Sequence, residues 1–252
     1  MSIHLLPLRG MPQIRGGDDL GGLLASAIEE NRYGLRSGDV LVVCQKVVSK
    51  AEGRIVSLAS VEPSPLALEW ARNADKDPRL IELVLRESRR IVRMEGGALI
   101  VETSSGYVCA NAGIDQSNAS VEGTVTLLPL DCDASAERIA LAVSRRLGLL
   151  PGVVVTDTFG RPWREGQIEF ALGVFGFHPV TDLRGTRDLT GRDLGVTQIA
   201  LADEIAAAAG LLMDKSAAIP AVLVRGLDIV ADPARRTGGQ ALIRPRENDL
   251  FR

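Results

Sequence analysis

Residues 152–164 read GVVVTDTFGRPWR, and the rest of the chain is read outward from them. Gly152 to Val155 is a β-branched run after Pro151, the pattern of a buried strand. It passes directly into Thr156, Asp157 and Thr158. Hydroxyl and carboxylate oxygens at a strand's C-terminal end suit Mg²⁺ or Mn²⁺, which take oxygen ligands and keep several waters. Arg161 and Arg164 follow, and a guanidinium can hold phosphate or carboxylate oxygens bidentately. The alternative is a hydrophobic strand with a solvated turn in which Asp157 only caps.

A second segment of the same kind is Tyr107 to Asn118, YVCANAGIDQSN. A short β-rich start breaks into Asn111, Gly113, Asp115, Ser117 and Asn118, with no helical or strand period. A strand ending in one carboxylate, amides and a glycine can hold a hard cation and phosphate oxygens. It can equally be an Asx-rich turn closing a hairpin. Between them, Thr124 to Leu128 reads as a strand and Asp133 or Ser135 as the start of a helix to about Leu147, stopped by Gly148 and Pro151.

Upstream, Ile3 to Leu8 reads as a buried strand, followed by a Gly/Pro loop and a helix capped by Asp18 or Asp19 that runs to about Asn31. Val40 to Cys44 is a strong strand. The segment QKVVSKAEGR, Gln45 to Arg54, comes next, with Lys46 and Lys50 as candidate phosphate contacts or as solvated charges on a hairpin. Helices begin near Ser64–Pro65 and at Pro78. Downstream, Phe170 to Phe177 reads as strand and Asp182 to Asp193 as a charged loop. Gly195 to Met213 reads as a long helix whose Ala-rich face suits close packing, between subunits if the protein is oligomeric. Residues 231–252 are expected to be a loosely held tail. The strands outnumber the βα alternation of a doubly wound sheet, and neither a Walker nor a Rossmann glycine signature is present, so the expected class is α+β.

Composition narrows the function. A net charge of −3 and few aromatics (five Phe, two Tyr, two Trp) argue against a nucleic-acid platform. Three widely spaced cysteines and two histidines indicate neither a disulfide framework nor a soft-metal site. With no signal-like N-terminus and no long apolar run, a cytoplasmic protein is expected.

The ordered set GMPQIRGGDDL, GDVLVVCQKVVSKAEGR, NAGIDQSN, VVVTDTFGR and ADEIAAAAGLLM…IPAVLVRGL resembles the coenzyme F420-0:L-glutamate ligase family, over residues 3–228. The resemblance implies a mixed-sheet fold of two intimately connected subdomains within residues 1–230, and an intertwined homodimer. It implies GTP-dependent addition of L-glutamate to the lactyl carboxylate of F420-0, with Mg²⁺ or Mn²⁺ (two per site) and stimulation by K⁺. Carried over by position, Asp115 and Asp157 would be divalent-metal ligands, and Thr158 would bind a second metal through oxygen. Met11, Pro12, Gln13 and Ile14 would line the GTP site through the backbone, and Gln45, Lys50 and Asn118 would contact GTP. Gln45 departs from the serine of several members, and Asp214 is the one carboxylate in a short loop where the family has a further metal contact. Lys50, Asp115 and Asp157 are the expected catalytic residues. Arg161, Arg164, Arg184, Arg187 and Arg192 are candidates for the anionic F420 tail or the incoming glutamate. Two alternatives remain: a related ligase with a changed acceptor, and a non-catalytic GTP- or deazaflavin-binding protein.

Overall fold

A computed structural model describes residues 2–116, 122–213, 218–235 and 237–249. Its centre is a five-stranded mixed sheet in the order β1-β12-β2-β8-β9. The strands are β1 (His4–Pro7), β2 (Val40–Cys44), β8 (Gly152–Arg161), β9 (Arg164–Phe175) and β12 (Ala221–Arg225). Only β2 and β8 run parallel, with Val40 opposite Gly152 and Cys44 opposite Thr156. The apolar strands carry hydrophobic side chains on both faces, so both faces must be covered. Leu41, Val43, Val153, Val155 and Leu223 pack under α1 (Leu20–Glu30) and α5 (Cys132–Leu147). Val40, Val42, Val154, Val222 and Val224 face α6 (Leu201–Gly210).

The described residues between 55 and 126, inserted between β2 and β8, build sheets of their own and are termed the second subdomain. It holds β3 (Ile55–Ser57), α3 (Pro65–Ala74), α4 (Pro78–Arg86), β4 (Ser88–Glu95), β5 (Ala98–Thr103), β6 (Val108–Ala110) and β7 (Thr124–Thr126). The strands make a β4-β5-β6 sheet and a β3-β7 pair. Arg54 clamps the two subdomains together: its Nε donates to the Leu128 carbonyl and its Nη2 pairs with Glu87 at 2.7 Å. The described residues thus form an α+β fold with several sheets, as expected.

Four expectations are corrected. The strand starting at Gly152 does not stop at Val155 but continues through Asp157 and Thr158 to Arg161, in a long hairpin with β9. Gln45–Ala51 is a short helix, α2, not a hairpin. The Ala-rich helix is only α6, because Gln198–Ile199 (β11) pairs back with Thr181–Asp182 (β10), and its Ala202, Ala206 and Ala209 pack on the chain's own sheet. The described part of the C-terminal segment is held at several points. The Asp232 N–H donates to the Gly176 carbonyl, the Gly239 N–H to Asp133, and the Gln240 amide to the Ser105 carbonyl. No helix among the described residues is long and apolar enough to cross a membrane.

Candidate functional site

Helix α2 starts at once where β2 ends, so its side chains sit beside the middle of β8. Val48 faces the core, while Lys46 and Lys50, one helical turn apart, share another face. Each lysine is only 8% exposed. Burying two like charges side by side is costly, and Lys50 shows it: burial first, then Lys46, push its pKa down, against the opposing pull of Asp115. Gln45 is fully buried; its Oε1 accepts from Ser49 Oγ at 2.9 Å, and its Nε2 has no partner among the described residues.

Asp115 arrives from the second subdomain. It follows a tight turn in which Asn111, Ala112 and Gly113 all have positive φ (51°, 54° and 69°). A left-handed alanine is unfavourable, and strain of this kind persists only where the surroundings enforce it. Here Asp115 and Thr126 exchange both main-chain hydrogen bonds, at 3.0 and 2.9 Å, which fixes the turn's exit. The Asp115 carboxylate then forms an ion pair with Lys46 across the subdomain boundary.

Asp157 stands on β8 near this pair. Burial is the main cause that pushes its pKa up to about 7; the Thr158 N–H opposes it, Glu169 and Asp115 add to it, and Lys46 opposes it. The same burial pushes Cys44 and Cys109 up to about 12, so neither offers a thiolate near neutral pH.

The Thr156 and Thr158 hydroxyls both donate to Glu169 of β9, at 2.8 and 2.6 Å. Residues two apart on a strand share a face, so Asp157, between them, leaves β8 on the other one. The Thr158 hydroxyl is thus committed to Glu169 on the face opposite Asp157. Glu169 is the site residue that sequence reading missed. Its only signal is alternation within a hairpin, which cannot be assigned before the register to β8 is known.

The loop holding Met11 to Ile14 lies against α2. The Gly17 N–H donates to the Ala51 carbonyl at 2.9 Å, and Ile14 is buried in the core with Met11 packed on it, while Pro12 and Gln13 are exposed. Asn118 and Asp214 lie outside the described residues. The structure thus gathers Gln45, Lys50, Asp115 and Asp157, adds Lys46, and sets the loop of residues 11–14 at the end of the helix that carries Lys50.

The arginines separate. Arg184 pairs with Asp182 and Arg187 with Asp193 on the β10–β11 hairpin, where Arg192 is also exposed. Arg164 is exposed. Arg161 has a buried Nε without a partner among the described residues.

Among the described residues, no three His, Cys, Asp or Glu side chains converge as a cage for a metal. The donor set still fits a hard divalent cation. Mg²⁺ typically binds through one or two carboxylates, several waters and substrate phosphates. Asp115 and Asp157 are two such carboxylates, and the repulsion from Glu169 and Asp115 that adds to the effect of burial on Asp157 is what a cation would relieve.

Comparison with known proteins agrees with this architecture. Residues 10–226 match the model of the family described as F420-0:Gamma-glutamyl ligase. The chain is 45% identical over 254 residues to the coenzyme F420:L-glutamate ligase of Methanothermobacter thermautotrophicus, covering all of both chains. It is 44% identical to that of Methanopyrus kandleri, over all of this chain and 98% of the relative. With the ligase of Archaeoglobus fulgidus it shares 41% identity, over all of this chain and 97% of the relative. Matched along its full length, the chain belongs to the coenzyme F420:L-glutamate ligase family and is a ligase.

Proposed function

We propose that the protein joins L-glutamate to the lactyl carboxylate of F420-0, with GTP as the energy source. The observation that carries this is the convergence of Lys46, Lys50, Asp115 and Asp157 at the subdomain junction. A carboxylate does not condense with an amine unaided, because hydroxide is a poor leaving group. The acceptor carboxylate oxygen attacks the γ-phosphorus and GDP departs. The glutamate amine then attacks the resulting acyl phosphate, phosphate leaves with the bonding electron pair, and the amine proton passes to solvent or phosphate. Such transfers depend on positioning and charge neutralisation.

The residues divide that work. Lys46 and Lys50 hold phosphate oxygens in a site where burial strengthens every electrostatic contact. An anionic phosphate beside Lys50 favours the charged form that burial disfavours. The buried Gln45 amide supplies a donor for GTP, and the backbone of Met11, Pro12, Gln13 and Ile14, with Asn118, completes that nucleotide site. Asp115 and Asp157 hold Mg²⁺ or Mn²⁺, with Thr158 offering an oxygen to a second ion. When bound, the divalent cations, with K⁺ as a further cation, supply neutralisation of the phosphate oxygens. Two copies of the chain form the working unit.

Mass spectrometry of F420-0 incubated with the protein, L-glutamate, GTP and Mn²⁺ tests this reading. A GTP-dependent gain of one or more glutamyl units is expected, lost without divalent metal, and lost in Asp157→Asn with the circular dichroism spectrum unchanged. Full turnover in Asp157→Asn removes that carboxylate from the reaction. Phosphate release without product indicates a ligase with a changed acceptor, and GTP binding without phosphate release indicates a binding protein.

A further inference from the structure

Two cavities meet beside the site and share Gly106, Tyr107, Ile243 and Arg244 in their walls. The smaller, of about 300 Å³, is bordered by Phe159, Phe170 and Arg161. The larger, of about 720 Å³, is bordered by Arg89, Arg90 and Arg246. The smaller one begins next to the reaction centre. Phe159 is two residues beyond Asp157 on the same face of β8, roughly 7 Å along the strand. Phe170 is the cross-strand partner of Asp157, and its ring lies 6.1 Å from that of Phe159, centroid to centroid. A cavity of this size with aromatic walls and a few polar groups is the usual form of a small-molecule site.

Its electrostatics are selective. Arg161 gives Nη2 to the Glu165 carbonyl at 3.1 Å, but its buried Nε has no partner among the described residues. The acidic groups on the walls each have a partner. Asp203 accepts the Ala171 N–H, Asp131 caps α5, Asp133 accepts the Val174 and Gly239 N–H groups, and Glu102 pairs with Arg90. The groove therefore presents an aromatic floor and an unsatisfied guanidinium donor, with further arginines on the far side.

We propose that this groove is the acceptor site, taking a planar heteroaromatic compound whose anionic tail accepts a hydrogen bond from Arg161 Nε. The tail's reactive carboxylate then points along β8 toward Asp157. The C-terminal segment around Ile243 and Arg244 forms the outer wall and so takes part in acceptor selection. This rests on the ligase reading, with F420-0 as the acceptor.

The test is steady-state kinetics on the full-length chain with F420-0, GTP and L-glutamate varied in turn, together with calorimetric binding of F420-0. Arg161→Met is expected to raise the KM for F420-0 at least tenfold while leaving those for GTP and glutamate within twofold. Arg161→Lys should recover part of the loss. Arg244→Glu, at an exposed position that spares the core, should weaken the acceptor alone. Normal turnover with an unchanged acceptor KM in both Arg161→Met and Arg244→Glu overturns the acceptor site and leaves the ligase reading standing. A wild-type protein that neither binds nor glutamylates F420-0 overturns both.

Discussion

Gln45 is a fully buried amide with an unpartnered donor, a group that costs stability on the order of 1–3 kcal/mol. A residue kept at such a cost is expected to serve a ligand, because stability and function trade against each other at active sites. Gln45→Leu should therefore leave the melting temperature unchanged or raised, and raise the KM for GTP about tenfold. A lowered melting temperature with normal GTP kinetics would instead make the amide a structural group. Gly113 tests the turn in front of Asp115. Its φ is +69°, and a Cβ there would stand 2.8 Å from the Leu128 side chain. Gly113→Ala should cost about 1–3 kcal/mol in denaturant unfolding. Because the same turn aims Asp115 at Lys46, turnover should fall as well. The sequence displays the chemistry of Asp115, Asp157 and Lys50 openly, as oxygen-rich or basic residues next to apolar strands. Glu169 and the ion-pairing role of Lys46 stay hidden, because each is defined by a partner distant in the chain.

Helix termini were the most legible elements. Asp19, Ser64 and Asp77 each accept a main-chain N–H at a helix start, and Pro65 and Pro78 occupy the first turn. These signals are local, so a short window contains them. The second half of β8 was not legible, because TDTFG carries no apolar run and is held in extended form by its ladder to β9 and by Glu169. Helix α2 is too short to show a period. The contact between α4 and the start of α3 also carries a pH dependence. Glu82 accepts the Ser64 N–H and pairs with Arg86, and the contacts with Ser64 hold its pKa down to about 2 from an ordinary 4.5. A carboxylate with a lowered folded pKa adds stability that is fully present above about pH 4.5 and fades as pH falls toward 2. The melting temperature of Glu82→Gln should lie below wild type at pH 6, with the gap closing by pH 2. A gap independent of pH would refute the link.

For the whole molecule, the tail and the partner copy are the features to measure. Ile243 packs on a small cluster of Tyr107, Leu128, Cys132 and Leu172, where the two subdomains and the C-terminal segment meet. Deleting residues 231–252 should therefore lower the melting temperature by several degrees and weaken F420-0 more than GTP; an unchanged melting temperature would make the segment a mere appendage. Light scattering should return twice the chain's 26.9 kDa. A monomer mass with full activity would remove the dimer from the proposal. The strand order holds a further consequence. β12 lies between β1 and β2, although it is the last strand among the described residues. A ribosome-bound chain that has made every other strand still lacks the strand that joins β1 to the rest of the main sheet, and β1 has no neighbour there until Ala221–Arg225 emerges. The second subdomain has all its strands long before that. Synthesis should thus yield a chain whose inserted part is folded while its framework waits, and limited proteolysis of stalled chains should find residues 55–126 protected first.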